Sequence, residues 1–173
     1  GVIANLALVF SAIYTGIAQG VQPLISDGYG KNEIKQIKIM YRYAFITLSI
    51  VSIVIYVLCV VFAEPITSIF NSEKNNLLQE IAVEGMKLYF MAVPFIGFNI
   101  VTSVFFAAIE RAVPAQSISL LRGIILMVPM AYLLAAMGGM TGIWLTVPVT
   151  EGIVAGVGMF FMIMWWKREK IWK

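Results

Sequence analysis

The chain is 173 residues long, 61% hydrophobic and 12% charged, with a mean hydropathy of +0.92 and a formal net charge of +3. That composition excludes an ordinary soluble domain. The basic excess is no sign of nucleic-acid binding, because the lysines and arginines flank apolar runs and face anionic headgroups.

Five stretches, 2–26, 43–62, 88–108, 117–136 and 142–166, each hold the roughly 20 apolar residues that cross ~30 Å of hydrocarbon. They predict an all-α integral membrane protein, a single membrane domain over 1–173 with five transmembrane helices in contact with the lipid bilayer. Alternating the connections puts Lys31, Lys35, Lys38, Arg42, Arg111, Lys167, Arg168, Lys170 and Lys173 on one side, with Arg122 a turn or two into the membrane from it. Only Lys74 and Lys87 fall on the other side. The positive-inside rule makes the first side cytoplasmic, so the amino terminus is outside and the carboxyl terminus inside, in a multi-pass plasma (inner) membrane protein. The first stretch is too long for a signal peptide and lacks its basic region. A chain that begins with Gly1 and enters a helix almost at once reads as part of something longer.

In the first span Asn5, Ser11, Thr15, Gln19, Gln22 and Ser26 share about a third of the circumference at ~100° per residue. Gly16 and Gly20 beside them form a GxxxG step for close helix approach. Such a stripe must face protein or a watery cavity, so a hydrated path and interhelical hydrogen bonding both fit. Asp27-Gly28-Tyr29-Gly30-Lys31-Asn32 supplies turn residues that end the helix. Lys31, Lys35, Lys38 and Arg42, opposite Ile34, Ile37 and Tyr41, predict an amphipathic stretch lying along the interface and feeding the second span. That span places Ser49, Ser52, Tyr56 and Cys59 along one side, which suits packing. The lone cysteine and the lack of histidine leave no disulfide framework and no Cys/His metal site.

Residues 64–76 read as an outer connection, and 77–86 as a short helix leading into the third span. There Asn99, Thr102 and Ser103 form a polar patch, and Pro94 frees a carbonyl upstream. The fourth span carries Arg122 on the face of Ser119 and Pro129. Its guanidinium either snorkels to the interface or joins an ion pair. The fifth holds Glu151, nine residues past Gly142 and ~13 Å into the membrane at 1.5 Å per residue. A carboxylate at that depth costs about 2.5–3.5 kcal/mol on translocon scales. Pro148, Ala155 and Gly158 share its face, with a second GxxxG step at Gly152 and Gly156. Glu151 fits either a proton-binding site with a pKa raised toward neutrality, or a structural group, protonated or paired with an arginine. No nucleophile–base pair, phosphate loop or metal cluster accompanies these residues, so an enzyme is hard to build from them and transport is the use they suit.

The run Gly16-Ile-Ala-Gln-Gly-Val-Gln-Pro-Leu-Ile-Ser26 with Tyr29-Gly30-Lys31-Asn32 resembles the multidrug and toxic compound extrusion (MATE) transporters, in the second helix of their C-terminal lobe. Glu64-Pro65-Ile66 with Ile69-Phe70, Pro94-Phe95-Ile96-Gly97-Phe98-Asn99, Ser119-Leu120-Leu121-Arg122, and Gly142-Ile143-Trp144-Leu145 with Pro148 follow in the family's order. The resemblance covers nearly the whole chain. It implies helices eight to twelve of a twelve-helix, two-lobed transporter, the missing N-terminal lobe being the partner across a central cavity. It also implies no cofactor and a coupling ion that is a proton or sodium. Asp27-Gly28 departs from the family's usual aromatic and asparagine, and Glu110 from a frequent glycine. Asn99 stands in the helix where some sodium-coupled members carry an aspartate.

The implied function is cation-coupled antiport that exports amphipathic, often cationic small organic substrates. Gln19, Gln22, Asn99 and Glu151 would line the cavity and Arg122 would organise its cytoplasmic end. The Met- and Phe-rich walls suit loose hydrophobic recognition and ordinary lipid contact equally. The alternatives are a lipid-linked saccharide flippase of the same superfamily, for which Arg122 alone offers too little positive charge, and a non-transporting membrane scaffold.

Overall fold

The computed structural model describes residues 2–71 and 75–171. Gly1, Lys74 and Lys173 lie outside the described residues, as does the side chain of Lys170. Seven α-helices follow one another: α1 (Val2–Gly30), α2 (Ile34–Val61), α3 (Ala63–Phe70), α4 (Asn76–Tyr89), α5 (Val93–Ala108), α6 (Ala112–Leu120) and α7 (Met127–Ile171). A 3₁₀ turn, Phe90–Ala92, joins α4 to α5, and a π-helical turn, Leu121–Ile125, joins α6 to α7.

Four helical stretches are long and apolar enough to cross a membrane: Val2–Gly30, Ile34–Val61, Asn76–Ala108 and Ala112–Arg168. The last one makes two passes. Gly139 inside α7 has φ 55° and ψ −128°, outside helical space. A Cβ built on Gly142 would collide with the carbonyl of Leu134, which is possible only if the chain doubles back there. The stretches 112–138 and 140–168 are therefore successive passes of a multi-pass, all-α membrane protein.

The α1 helix runs through Asp27 and Gly28, past the point where turn residues were expected to end it. It ends at Gly30, and two residues on, Asn32, with a φ of 57°, turns the chain through the left-handed region. Asn32 N–H donates to the Tyr29 carbonyl (3.0 Å) and Glu33 N–H to that of Gly28 (2.8 Å), satisfying the last carbonyls. Outside it, Lys31 pairs with Asp27 at 2.7 Å. Hydrogen bonding and the charge of Asp27 hold the Lys31 ammonium above its ordinary pKa.

The same stop ends α5. Glu110 has φ 59°, and Arg111 N–H donates to the Phe106 carbonyl at 2.8 Å. Asparagine tolerates this backbone; glutamate does so at a cost of about 1–2 kcal/mol. Glu110 is exposed, so Glu110→Gly is expected to raise stability by about 1 kcal/mol. A detergent unfolding midpoint that fails to rise would show the strain relieved elsewhere.

The basic stretch before the second span is not a separate interfacial helix. It is the first three turns of α2, and the 28-residue helix spans ~42 Å at 1.5 Å per residue. Ile34, Ile37 and Tyr41 turn inward, because an unbroken helix carries its apolar face on into the bundle. Lys38 Nζ lies 6.0 Å from the ring centroid of Trp165. The outer connection also contains the short α3, tied to α4 where Gln79 Nε2 donates to Thr67 Oγ1 (2.7 Å) and to the Glu64 carbonyl (3.1 Å). Pro94 sits in the first turn of α5, where no intrahelical N–H is needed, so it does not leave the free mid-span carbonyl expected of it.

The helix at the centre is α5, which packs against α1, α2, α6 and α7. Tyr14, Phe90, Phe105, Phe106, Ile37 and Ile118 are fully buried around it. Two hydroxyl pairs lock its neighbours: Tyr41 to Thr102 (3.0 Å) and Ser103 to Ser119 (3.0 Å). A third, Tyr14 to Ser52 (2.9 Å), joins α1 to α2. On the side of α2 expected to pack, Ser52 and Cys59 are buried while Ser49 and Tyr56 are half-buried. Leu8, Ile50, Ile53, Val61 and Tyr132 face outward, where apolar side chains meet lipid.

Candidate functional site

Three helical segments bring one polar cluster together. Asn99 comes from the middle of α5, Arg122 from the π turn and Glu151 from the second arm of α7. Glu151 is 3% exposed and Asn99 fully buried. Arg122 donates from Nε (3.1 Å) and Nη2 (2.7 Å) to Glu151 Oε1. Asn99 Nδ2 donates to Glu151 Oε2 (2.7 Å) and to the Glu151 carbonyl (2.9 Å). The backbone carbonyl only accepts, so it settles which end of the amide faces the glutamate.

Local structure explains the meeting. At the π turn Leu126 N–H reaches back five residues to the Leu121 carbonyl (3.0 Å), and the wider turn carries Arg122 toward Glu151 rather than to the interface. Turns of this type concentrate at functional sites. On the other side, Gly158 lets α7 approach α5: a Cβ there would stand 3.2 Å from the Phe98 ring and 3.6 Å from Thr102.

The pair closes one end of a groove of about 420 Å³ lined by Ser119, Arg122, Gly123, Met127 and Glu151. The Arg122 side chain is 25% exposed and that of Glu151 4%, so an entering molecule meets the guanidinium first. One buried polar atom of the cluster, Asn99 Oδ1, lacks a partner among the described residues. A larger cleft, about 970 Å³ between α3 and α4, is lined by Glu64, Gln79, Glu80, Glu84 and Lys87 among others. Among the described residues it contains no buried ion pair.

The structure thus brings Asn99, Arg122 and Glu151 together and leaves Gln19 and Gln22 apart from them. Gln19 is exposed and Gln22 half-buried, and neither side chain hydrogen-bonds to the cluster among the described residues. Asn5, Thr15 and Ser26 are exposed as well, and a Cβ on Gly16 or Gly20 would touch nothing. The polar stripe of α1 therefore lies on the open face of the bundle. Gly152 and Gly156 are open in the same way, so neither GxxxG step seats a helix among the described residues. The polar patch of α5 divides, with Asn99 on Glu151, Thr102 on Tyr41 and Ser103 on Ser119. Residues around 100° apart aim at different neighbours. Sequence reasoning missed Gly123 and Met127, which line the groove beside the pair and carry no charge or polarity to mark them.

Comparison with known proteins places this arrangement. The MatE family model matches residues 1–133, a stretch that includes Gln19, Gln22, Asn99 and Arg122 and ends before Glu151. The chain is similar to a protein named FAD transporter from Shewanella oneidensis, 21% identical over 162 residues, covering 91% of this chain and 34% of the relative. It is also similar in fold to inward-facing and outward-facing structures of a multidrug resistance MATE family transporter of the MOP superfamily. Their TM-scores are 0.86 and 0.83, at 17% and 16% identity, and each match covers 94% of this chain and 38% of the other. The chain spans little more than a third of the length of these relatives.

Proposed function

The chain belongs to the MatE family, and from that premise we propose that it forms part of a cation-coupled antiporter exporting amphipathic, often cationic organic compounds. The reading places the protein in the plasma membrane with its carboxyl terminus in the cytoplasm, and an N-terminal lobe across the cavity. Gln19 and Gln22 on the open face of α1 would be the wall turned toward that lobe.

The observation that carries the reading is a buried carboxylate, Glu151, held by Arg122 at the end of an open groove within a membrane bundle. An ionisable group so placed is costly unless it serves a task. A single carboxylate already occupied by a guanidinium suits a proton better than sodium, which would need several further oxygens to replace its water. Alternating access would then rock this bundle against the opposite lobe.

The test uses the protein expressed from its own gene in cells stripped of other exporters. Glu151→Gln is expected to cut energised dye efflux about tenfold or more at normal expression, and Gln22→Ala to weaken it less. Wild-type efflux from both variants overturns the reading. A second reading, export of an anionic flavin dinucleotide, draws on the name of the Shewanella relative and on Arg122 being the accessible member of the pair. Flavin appearing in the medium only when the intact gene is expressed would favour it.

A further inference from the structure

We propose that Arg122 is a displaceable internal cation: a proton arriving on Glu151 frees the guanidinium into the groove, and the freed charge expels a cationic cargo. The inference rests on the antiporter reading and gives that site its coupling step.

With Glu151 ionised, three N–H groups serve its two carboxylate oxygens: Nε and Nη2 of Arg122 on Oε1, and Nδ2 of Asn99 on Oε2. The site is then neutral. A proton from water that bonds to Oε2 removes the charge Arg122 was holding and creates an O–H donor needing an acceptor. That acceptor is already present. Asn99 Oδ1 is buried and unpartnered, and it belongs to the same amide that touches Oε2. Turning the amide about its terminal torsion offers Oδ1 to the new hydroxyl in exchange for the Nδ2 bond to the Glu151 carbonyl, so the hydroxyl gains an acceptor without drawing on Arg122.

Arg122 has somewhere to go. It is the partly exposed member of the pair and sits on a π turn. The groove beside it is open toward Ser119, Gly123 and Met127. A guanidinium stays charged at any physiological pH, so its release takes the groove from neutral to a single positive charge. Among the described residues no other acidic group faces the pair to compete for the proton. No residue of α5, α6 or the Phe90–Ala92 turn is ionisable, α7 carries no other ionisable group facing Glu151, and α4 contributes the Tyr89 phenol within the field of the carboxylate.

Direct competition, in which cargo and proton contest one carboxylate, makes a different prediction, and two variants separate them. The probe is tetraphenylphosphonium, a lipophilic cation, bound to the intact protein in lipid nanodiscs over a range of pH. The wild type is expected to bind it about tenfold more weakly on the acid side of the transition. Glu151→Gln leaves Arg122 free at every pH and should bind weakly throughout. Adding Arg122→Gln to it removes the freed charge, and that double variant should bind as tightly as the alkaline wild type with no pH dependence. Arg122→Lys should retain the wild-type dependence.

A double variant as weak as Glu151→Gln alone overturns the proposal while leaving the antiporter reading standing. A wild type that neither binds the probe nor exports overturns both. A change of fold in the double variant would show as lost nanodisc incorporation. Arg122→Gln alone then decides: with no guanidinium to free, it should bind on the acid side as tightly as the alkaline wild type, and acid-side binding as weak as that of the wild type overturns the proposal.

Discussion

Replacing Arg122 with alanine is expected to destabilise the bundle by about 3–5 kcal/mol at neutral pH, the usual result of leaving a buried carboxylate without its partner. Glu151 is 3% exposed and loses both guanidinium bonds, keeping only the Asn99 amide. The loss should appear as a large fall in the unfolding midpoint of the intact protein in detergent. Most of it should return when Glu151→Gln is added, because the second change removes the stranded charge. Such non-additivity is the mark of a direct pair. Additive losses, or a single-variant fall below about 1 kcal/mol, would mean that water reaches Glu151 and that the pair behaves like a surface one.

Gly142→Ala is the second substitution with a large effect. Its Cβ would occupy the position of the Leu134 carbonyl, and backbone cannot swing aside as a side-chain tip can. The two arms of α7 must separate or the Gly139 turn must open. The expected loss is about 2–4 kcal/mol, at the upper end of what strain and overpacking cost. Gly152→Ala is the control: its Cβ meets nothing within 4 Å, so it should be close to neutral. Equal effects from the two would show that helix flexibility rather than the fold-back determines the outcome at Gly142.

How much of this was readable beforehand follows from the range of each interaction. Membrane crossing is a property of composition over some 20 residues, so the apolar runs were visible without any knowledge of their neighbours. Glu151 stood out by the same logic, as one charge in an apolar run. Its partner stood open because Arg122 is 29 residues away, and hydropathy reports depth without direction. The amphipathic lysines before the second span looked interfacial because periodicity cannot tell a helix lying on a membrane from one continuing out of it. The π turn left no trace, since Leu121–Ile125 has nothing in its composition to mark it. The stripe through Gln19 and Gln22 was legible as a stripe, but what it faces is outside the described residues. The departure at Glu110 was noted as a missing glycine, and the positive φ there gives that glycine its physical reason.

The doubled-back shape of α7 bears on how the protein is made. A turn centred on one glycine leaves no loop that could wait in water while its neighbour inserts, so both arms enter the bilayer together as a hairpin. Arg122 lies in the π turn within the first pass and Glu151 in the second. Inserted singly, each would oppose partition by about 2.5–3.5 kcal/mol. Delivered in one hairpin, they reach the hydrocarbon already neutralised by each other. The ion pair that closes the groove thus also eases the two arms of this hairpin into the membrane.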